Sequence, residues 1–183
     1  MKFHLRTIIV TIFLITMISG CAKKESPTAK ATDPKDALMY TFDMDNHEYR
    51  FRLLNGWIKF PDKDSKIAFL VANKDKKSFM TAGFEPVDKR MLSQYLEEFE
   101  TKLNDNDAKI TVEPKKTKLN GLDAVHLGFE LKDAKQRTLT YRTYLIETKD
   151  YFINLGAWTS ESKPSSEIIK ELDTILGTFE QLK

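Results

Sequence analysis

The chain has 183 residues, of which 29 are Lys or Arg, 27 are Asp or Glu and one is Cys. A single cysteine cannot form a disulfide within the chain, so the core must hold the fold by itself, and the length suffices for one domain of ordinary size. Lys2 and Arg6 precede a long apolar run, and the other 27 basic residues balance the 27 acidic ones, so the charge gives no indication of nucleic-acid binding.

The first 20 residues have the three parts of a secretory signal. A basic start with Lys2 and Arg6 is followed by the uncharged segment TIIVTIFLITMISG at 7–20, which ends in small residues. A transmembrane helix is the competing interpretation, but it needs about 20 apolar residues, and this run is shorter. The pattern therefore predicts that residues 1–20 are a signal peptide.

The segment ISGC at 18–21 resembles the bacterial lipobox, in which an aliphatic residue and two small residues precede an obligatory cysteine. The resemblance implies cleavage between Gly20 and Cys21 and a diacylglyceryl group on the Cys21 sulfur, with acyl chains such as palmitate in the membrane. Two acyl chains are needed because one chain binds a membrane only reversibly. We therefore expect a lipoprotein on the outer face of the bacterial cytoplasmic membrane, or in the outer membrane if the source is Gram-negative. The alternative is a secreted protein with an incidental cysteine.

Residues 21–37 are expected to form the lipidated cysteine and a flexible tether. The segment AKKESPTAKATDPKD at 22–36 has no large apolar side chain, so it cannot bury enough surface to offset the entropy of ordering. A flexible chain of this length has a root-mean-square reach of about 20 Å. The tether should therefore keep a single domain at 38–183 close to the membrane.

That domain begins with four predicted strands, in which apolar and polar residues alternate. The strands are expected at 39–45, 48–53, 66–72 and 78–84. The period then changes to that of a helix at 89–103, for which Asp88 is the expected N-cap. Its apolar stripe consists of Met91, Leu92, Tyr95, Leu96, Phe99 and Leu103.

The second half repeats this order with longer strands. They are expected at 109–120, 122–132, 137–148 and 151–158. Asn120 and Gly121 between the first two strands favour a two-residue hairpin turn. A closing helix is expected at 164–179, with Pro164 in its first turn, where a missing N–H costs least. Its apolar stripe consists of Ile168, Ile169, Leu172, Ile175, Leu176 and Phe179.

The order ββββα-ββββα predicts an α+β domain, with two helices packed on a mostly antiparallel sheet. Four segments resemble the PsbP/DcrB-like group, which includes many bacterial lipoproteins. They are YRFRLLNGW at 49–57, TAGFEPVDKRMLSQYLEEF at 81–99, KLNGLDAVHLGFEL at 118–131 and SSEIIKELDTILGTFEQL at 165–182. The resemblance implies an α/β/α sandwich. Members of the group do unrelated things, from supporting photosystem II to binding a GTPase, so it implies no particular function.

The residues do not assemble a recognisable catalytic set. Nucleophilic catalysis needs a Ser or Cys near a His and an acid, yet there is no G-x-S-x-G, and the only cysteine is expected to be acylated. His126 lies on the strand face opposite Val125 and Leu127, so we interpret it as a surface or packing residue and not as a catalytic base. No catalytic residue is predicted.

The turn DMDNHE at 43–48 is a candidate metal site, and the run NDND at 104–107 is a weaker one, since Asn and Asp are ordinary residues of turns and helix ends. The turn at 43–48 gathers Asp43, Asp45, Asn46, His47 and Glu48. It lacks the glycine and the distant bidentate Glu of a calcium loop, so a polar hairpin turn is the favoured interpretation. No His and Cys spacing suits zinc, and the scattered glycines form no phosphate loop. We therefore expect no metal and no cofactor.

Two lysine groups and two tryptophans complete the candidates for binding. The lysines, interpreted as solvated residues of a turn and a strand, are Lys74, Lys76, Lys77, Lys115, Lys116 and Lys118. Trp57 and Trp158 are expected to be core or rim anchors.

These observations predict a non-enzymatic binding or accessory module, which the diacylglyceryl anchor on Cys21 holds at the membrane surface. Its partner would be an envelope protein or a small ligand. One alternative is a metal-binding or enzymatic accessory whose site is assembled from distant residues. A second alternative is that the leader, through FLITMISG at 13–20, is the precursor of a peptide pheromone.

Overall fold

The computed structural model describes residues 38–44, 47–60 and 67–182. Within these ranges the chain forms ten strands and two helices. In chain order they are β1 (Leu38–Met44), β2 (His47–Leu53), β3 (Trp57–Lys59), β4 (Leu70–Asn73), β5 (Ser78–Pro86), α1 (Leu92–Asp105), β6 (Lys109–Leu119), β7 (Leu122–Lys132), β8 (Thr138–Glu147), β9 (Tyr151–Thr159), α2 (Ser166–Gly177) and β10 (Glu180–Gln181).

The strands form two antiparallel sheets. The larger has seven strands in the order β3-β4-β5-β9-β8-β7-β6, and the smaller has three in the order β1-β2-β10. The predicted α+β class, with two helices and antiparallel pairing, is confirmed. The short strands β3 and β10 and the division into two sheets were not anticipated by the alternation pattern.

The hairpin between β6 and β7 has the predicted two-residue turn. Leu119 pairs with Leu122, and Asn120 and Gly121 between them have φ values of 48° and 93°. Both values lie in the left-handed region that a type I′ turn requires. The Asn120 amide also donates hydrogen bonds to the carbonyl oxygens of Gly177 and Phe179, at 3.1 and 2.6 Å. The turn is thereby tied to the end of α2.

Helix α1 covers one face of the seven-stranded sheet. Its side chains pack against those of β7 that point to this face, namely Val125, Leu127 and Phe129. Tyr95 stacks on Phe152 of β9, with ring centroids 4.5 Å apart. Because side chains alternate along a strand, the neighbouring residues of β7 point to the other face.

Helix α2 and the small sheet cover that other face. Leu172, Ile175 and Leu176 of α2 have no exposed surface, and neither has Phe179, which follows the helix. Phe179 stacks on Tyr49 of β2, with ring centroids 5.6 Å apart. The two helices therefore lie on opposite faces of the large sheet, the arrangement that the sequence resemblance implied.

Helix α1 begins later than the periodicity indicated. Asp88 has a φ of 46° and lies in a turn, so its prediction as the N-cap was wrong. The N-cap is Met91, whose backbone N–H donates to the Gln94 side chain at 2.9 Å. The turn precedes the helix because the Val87 N–H still pairs with the Asp150 carbonyl and the Arg90 N–H then bonds back to Val87. The second helix starts at Ser166, with the Ser165 hydroxyl accepting from Ile168 N–H.

Candidate functional site

The predicted lipid attachment residue Cys21, the cleavage position at Gly20, the leader and the tether all lie outside the described residues. They stay predictions. None of the helices formed by residues 38–44, 47–60 and 67–182 has the length and apolar character needed to cross a membrane.

The candidate metal turn is only partly described, because Asp45 and Asn46 fall outside the described ranges. Asp43 of β1 is the pairing partner of Glu48 in β2. The His47 ring has other partners: its Nε2 lies 3.0 Å from Asp150 Oδ2, and its Nδ1 lies 3.1 Å from Gln181 Nε2. Over the described ranges, no three His, Cys, Asp or Glu residues are grouped so that they could hold a metal ion.

Three of the six lysines in the two predicted groups lie next to carboxylates. Lys76 pairs with Glu171, and Lys77 Nζ lies 3.0 Å from Glu161 Oε1. On β6, the ammonium group of Lys118 lies 2.7 Å from Asp123 Oδ1. The ion pairs offset the charge of these three lysines.

A polar cluster of His126, Arg142, Asp173 and Tyr144 lies beneath α2, and we refer to it below as the α2 cluster. Asp173 Oδ1 lies 3.4 Å from both His126 Nε2 and Arg142 Nε. The side chains of His126 and Arg142 are 23% and 13% exposed, and that of Asp173 is 40% exposed. His126 comes from β7, Arg142 from β8 and Asp173 from α2, so three elements contribute.

Glycine at position 128 makes room for the Arg142 guanidinium. A Cβ added to Gly128 would clash with Arg142 Nη1 and would also lie 3.1 Å from Val112 Cγ2 and 3.2 Å from Thr111 Oγ1. Gly128 and Arg142 are paired across β7 and β8, so the guanidinium lies over the glycine backbone. A side chain at position 128 would therefore require the Arg142 guanidinium to move.

The α2 cluster holds polar atoms that are buried and lack a hydrogen bond: His126 Nε2, Arg142 Nη1 and Asp173 Oδ1. The His126 ring stacks on Tyr144, with centroids 4.6 Å apart. Burial, and then the negative charge of Asp173, raise the pKa of the Tyr144 hydroxyl above its ordinary value. The cluster has the donors and acceptors to hold a small polar group, and its four residues include no Ser or Cys nucleophile. The interpretation of His126 as a packing residue stays a prediction.

A second polar network joins α2 to the edge of the large sheet. Trp57 Nε1 donates to Glu171 Oε1 at 2.7 Å, and Asn73 Nδ2 donates to the same oxygen at 3.3 Å. Lys76 pairs with the other carboxylate oxygen. Trp57 is 4% exposed and Asn73 is 2% exposed, so Glu171 accepts hydrogen bonds from two buried donors.

Sequence reasoning missed Arg142, Tyr144, Asp173 and Glu171. The two acidic residues flank Leu172 on a helix whose apolar stripe was recognised, and carboxylates beside a stripe are ordinarily solvated. A signal was present in the alternation of β7 and β8, which places His126 and Arg142 on one face. Nothing local indicated that α2 would lie over that face.

No model of a known protein family matches the chain, and no curated protein matches it. Solved structures do resemble it. Cyanobacterial PsbP (CyanoP) from Synechocystis matches with a TM-score of 0.55 and 13% identity, over 89% of this chain and 98% of that one. LpqN, which is involved in cell envelope biogenesis of Mycobacterium tuberculosis, matches with a TM-score of 0.53 and 13% identity, over 82% of this chain and 95% of that one.

A crystal structure from Bacteroides thetaiotaomicron matches with a TM-score of 0.51 and 16% identity, over 74% of this chain. The match spans only 45% of the Bacteroides chain. At these identities the likenesses show the fold alone, and the predicted PsbP-like fold is confirmed.

Proposed function

We propose that the chain is a lipid-anchored extracytoplasmic module that works by binding, not by catalysis, at the surface of a bacterial membrane. The diacylglyceryl group on Cys21 holds it on the outer face of the cytoplasmic membrane, or in the outer membrane of a Gram-negative source. Its partner is an envelope protein or a small ligand.

The observation that carries the proposal is the position of Cys21. It directly follows the small residues that end an uncharged run of signal-peptide length, and it is the only cysteine of the chain. Stable anchoring requires two acyl chains, and a diacylglyceryl thioether supplies both at one residue.

The fold of the described domain supports an accessory role. The fold that it shares with LpqN is one used by a protein of cell envelope biogenesis, and an envelope role for this chain is part of the proposal.

The anchor is tested by replacing Cys21 with Ser in the full chain. We expect Cys21→Ser to move the protein from the membrane fraction to the soluble fraction, or to leave the leader uncleaved, and to abolish labelling by an alkyne analogue of palmitate. Ser19→Ala is the matched control, because it keeps a small residue before the cysteine and should leave labelling and fractionation intact. Unchanged anchoring and processing of Cys21→Ser would contradict the proposal.

The binding role is tested with the anchored protein in its native envelope. Crosslinking and recovery should return a specific envelope component that the Cys21→Ser chain recovers less well, because it is released from the membrane. The metal-binding alternative is tested by calorimetric titration with calcium, manganese and zinc. Tight stoichiometric binding that is lost when Asp43 and Asp45 are both replaced by Asn would favour that alternative over the proposal.

A further inference from the structure

In the described part of the chain the two sheets have four edge strands, and three of them are poorly suited to pairing with another chain. The edge strands are β3 and β6 of the large sheet and β1 and β10 of the small one. Strands β3 and β10 have only three and two residues. The long strand β6 has two shifts of register, a proline and four lysines, namely Pro114, Lys109, Lys115, Lys116 and Lys118. Short strands, bulges, prolines and lysines all discourage pairing at an edge.

Strand β1 has none of these features. Its sequence LMYTFDM contains no lysine and no proline, and it pairs with β2 over all seven residues without a bulge. Tyr40 packs against the core, on the inner face of the small sheet. Because side chains alternate along a strand, Met39, Thr41 and Asp43 lie on the outer face, and all three are exposed. Leu38 at the start of the strand is 69% exposed.

The hydrogen bonds of β2 show which backbone groups of β1 are turned outwards. The Glu48 carbonyl accepts from the Leu182 N–H at 2.8 Å, on the side of β10. The Arg52 N–H donates to the Thr178 hydroxyl at 3.0 Å, also on that side. The backbone groups of Glu48 and Arg52 therefore point away from β1.

The residues of β1 opposite these two must point away from β2 in turn. Opposite residues of an antiparallel pair either exchange both hydrogen bonds or direct both sets of groups outwards. The opposite residues are Asp43 and Met39, with Thr41 between them. All three therefore direct their N–H and C=O groups to the free edge of β1, where no other described strand pairs with them.

We propose that β1 is the pairing strand of a homodimer, in which the β1 edges of two copies join antiparallel about a two-fold axis at Thr41. In this register Thr41 lies opposite Thr41 of the second copy, and Met39 lies opposite Asp43. The outward backbone groups then exchange about six hydrogen bonds. The result is one continuous sheet with three strands from each copy. Such an interface is self-complementary, as two-fold symmetry requires.

The same register covers apolar side chains that are exposed in the single chain. On the inner face Leu38 lies opposite Met44 of the second copy, and Tyr40 lies opposite Phe42. On the outer face Met39, which is 44% exposed, lies between Arg52 of its own copy and Asp43 of the other. Each apolar contact occurs twice because of the symmetry.

The charges on the outer face of the small sheet are also complementary in this arrangement. Strand β2 has Arg52 at one end, Glu48 at the other and Arg50 between them, and Arg50 pairs with Glu180 of β10. Asp43 is the only charged residue of β1. Antiparallel pairing places Asp43 and Glu48 of one copy in the row of Arg52 of the other. The two Arg50 side chains stay apart, because both β1 strands lie between them.

Other charged groups near β1 belong to the large sheet. Lys59 Nζ lies 5.3 Å from the centroid of the Tyr40 ring, on the inner face. Asp150 contacts His47, and its neighbour in the chain, Lys149, has the opposite charge. The charge complementarity is therefore a property of the outer face alone.

Anchoring makes a small interface of this kind effective, and this step rests on the proposed acylation of Cys21. Two copies held on one membrane meet at a far higher local concentration than two copies in solution. In the dimer the two Leu38 residues are about 20 Å apart. The seventeen residues 21–37 span at most about 60 Å when fully extended. Both anchors can therefore reach the same membrane.

Cysteine cross-linking in the acylated full-length protein tests the pairing. The protein is purified from membranes and reconstituted in vesicles, where acylation has used the Cys21 sulfur and an introduced cysteine is the only thiol. Thr41→Cys places two thiols on the two-fold axis, with Cα atoms about 5.5 Å apart, which a disulfide can span. Mild oxidation should cross-link this variant several-fold faster than Thr117→Cys, the matched control at an exposed threonine of the other long edge strand, β6.

Two further variants report the register. Met39→Cys and Asp43→Cys should each cross-link slowly alone, since the two copies of either residue are about 14 Å apart in the dimer. Mixed in the same vesicles, they should form the disulfide between positions 39 and 43 several-fold faster. Adding Thr41→Pro to both should reduce this yield, because proline removes an N–H at the centre of the edge. Circular dichroism checks that the proline variant keeps its fold, and the comparison of mixed with single variants does not depend on it.

Equal rates for Thr41→Cys and Thr117→Cys, or a mixture that cross-links no faster than its components, would overturn the inference. Cross-linking of Thr41→Cys in native membranes to a different protein, in place of a second copy, would overturn it as well. Sedimentation with the vesicles reports on the anchor separately. If the parent does not sediment, the acylation is refuted, and cross-linking in concentrated solution, with the parent as the baseline for Cys21, still decides the pairing.

Discussion

Replacing Glu171 with Ala tests the network that joins α2 to the sheet edge. The change removes the acceptor of the Trp57 indole N–H, which is 2.7 Å away, and of the Asn73 amide, which is 3.3 Å away. Trp57 and Asn73 are 4% and 2% exposed, so water cannot readily replace the lost acceptor. A buried donor without a partner costs about 1–3 kcal/mol.

The ion pair with Lys76 adds little to this cost. The Lys76 side chain is 44% exposed, and exposed ion pairs contribute about 0–1 kcal/mol. We therefore expect Glu171→Ala to lower the free energy of unfolding by about 2–3 kcal/mol. For a domain of this size that corresponds to a fall in Tm of about 5–10 °C.

Chemical denaturation, followed by circular dichroism and by tryptophan fluorescence, measures the change. Glu171→Gln should cost less, because its amide oxygen still accepts from Trp57, and only the charge and the acceptor that face the exposed Lys76 are lost. Lys170→Ala is the matched control on the same helix: the residue is exposed, and its substitution should change the free energy of unfolding by less than about 0.5 kcal/mol.

A double-mutant cycle with Trp57→Phe isolates the hydrogen bond. Residues that form a hydrogen bond with each other show coupling energies of about 0.5–3 kcal/mol. The coupling energy between Trp57 and Glu171 should lie in this range. If Glu171→Ala destabilises the protein no more than Lys170→Ala, or if the coupling energy is zero, the reasoning from buried donors is refuted.

Two further predictions concern the α2 cluster and the β7–β8 turn. Gly128→Ala should destabilise the protein by about 1–3 kcal/mol, because the new Cβ displaces Arg142 from its place beside Asp173. Adding Arg142→Ala should recover part of the loss, as measured by thermal unfolding. A Gly128→Ala variant as stable as the parent would contradict this packing. The Arg137 backbone N–H, supported by other donors of the turn, holds the pKa of Asp133 below its ordinary value. The stability that the Asp133 carboxylate supplies is therefore present above its unfolded pKa and is lost as the pH falls through the lower folded pKa. The difference in unfolding free energy between Asp133→Asn and the parent should shrink on acidification. A difference that does not depend on pH would contradict this prediction.

Features governed by local patterns were predictable from the sequence. Asn120 and Gly121 determine a tight turn by their own tolerance of positive φ, and the observed turn is the predicted one. The alternation in β7 correctly separated Val125 and Leu127 from His126, because the period of two depends only on the strand. The apolar stripe of α2 likewise identified Leu172 as a core residue.

Features governed by distant partners were not predictable. Strand β3 has three residues and β10 has two, too few to show a period. Trp57 belongs to a strand because it pairs with Asn73, and Glu180 because it pairs with Arg50. The start of α1 was missed for a related reason. The strand pairing of Val87 with Asp150 extends past the end of β5, and the helix can begin only after the chain has turned.

The placement of α2 across the sheet shows why the candidate site was the hardest feature to predict. The apolar stripe determines which side of the helix faces the sheet, but it leaves the helix free to shift sideways. Glu171 reaches Trp57 in β3, and Asp173 reaches Arg142 in β8, so the two carboxylates hold strands on either side of β9. Each carboxylate looks like an ordinary surface residue in the sequence, and it acquires its role only when both sets of partners are present. The same argument explains why His126 could be assigned to a face of β7 but not to a neighbour: its neighbour Asp173 is supplied by a helix 47 positions further along the chain.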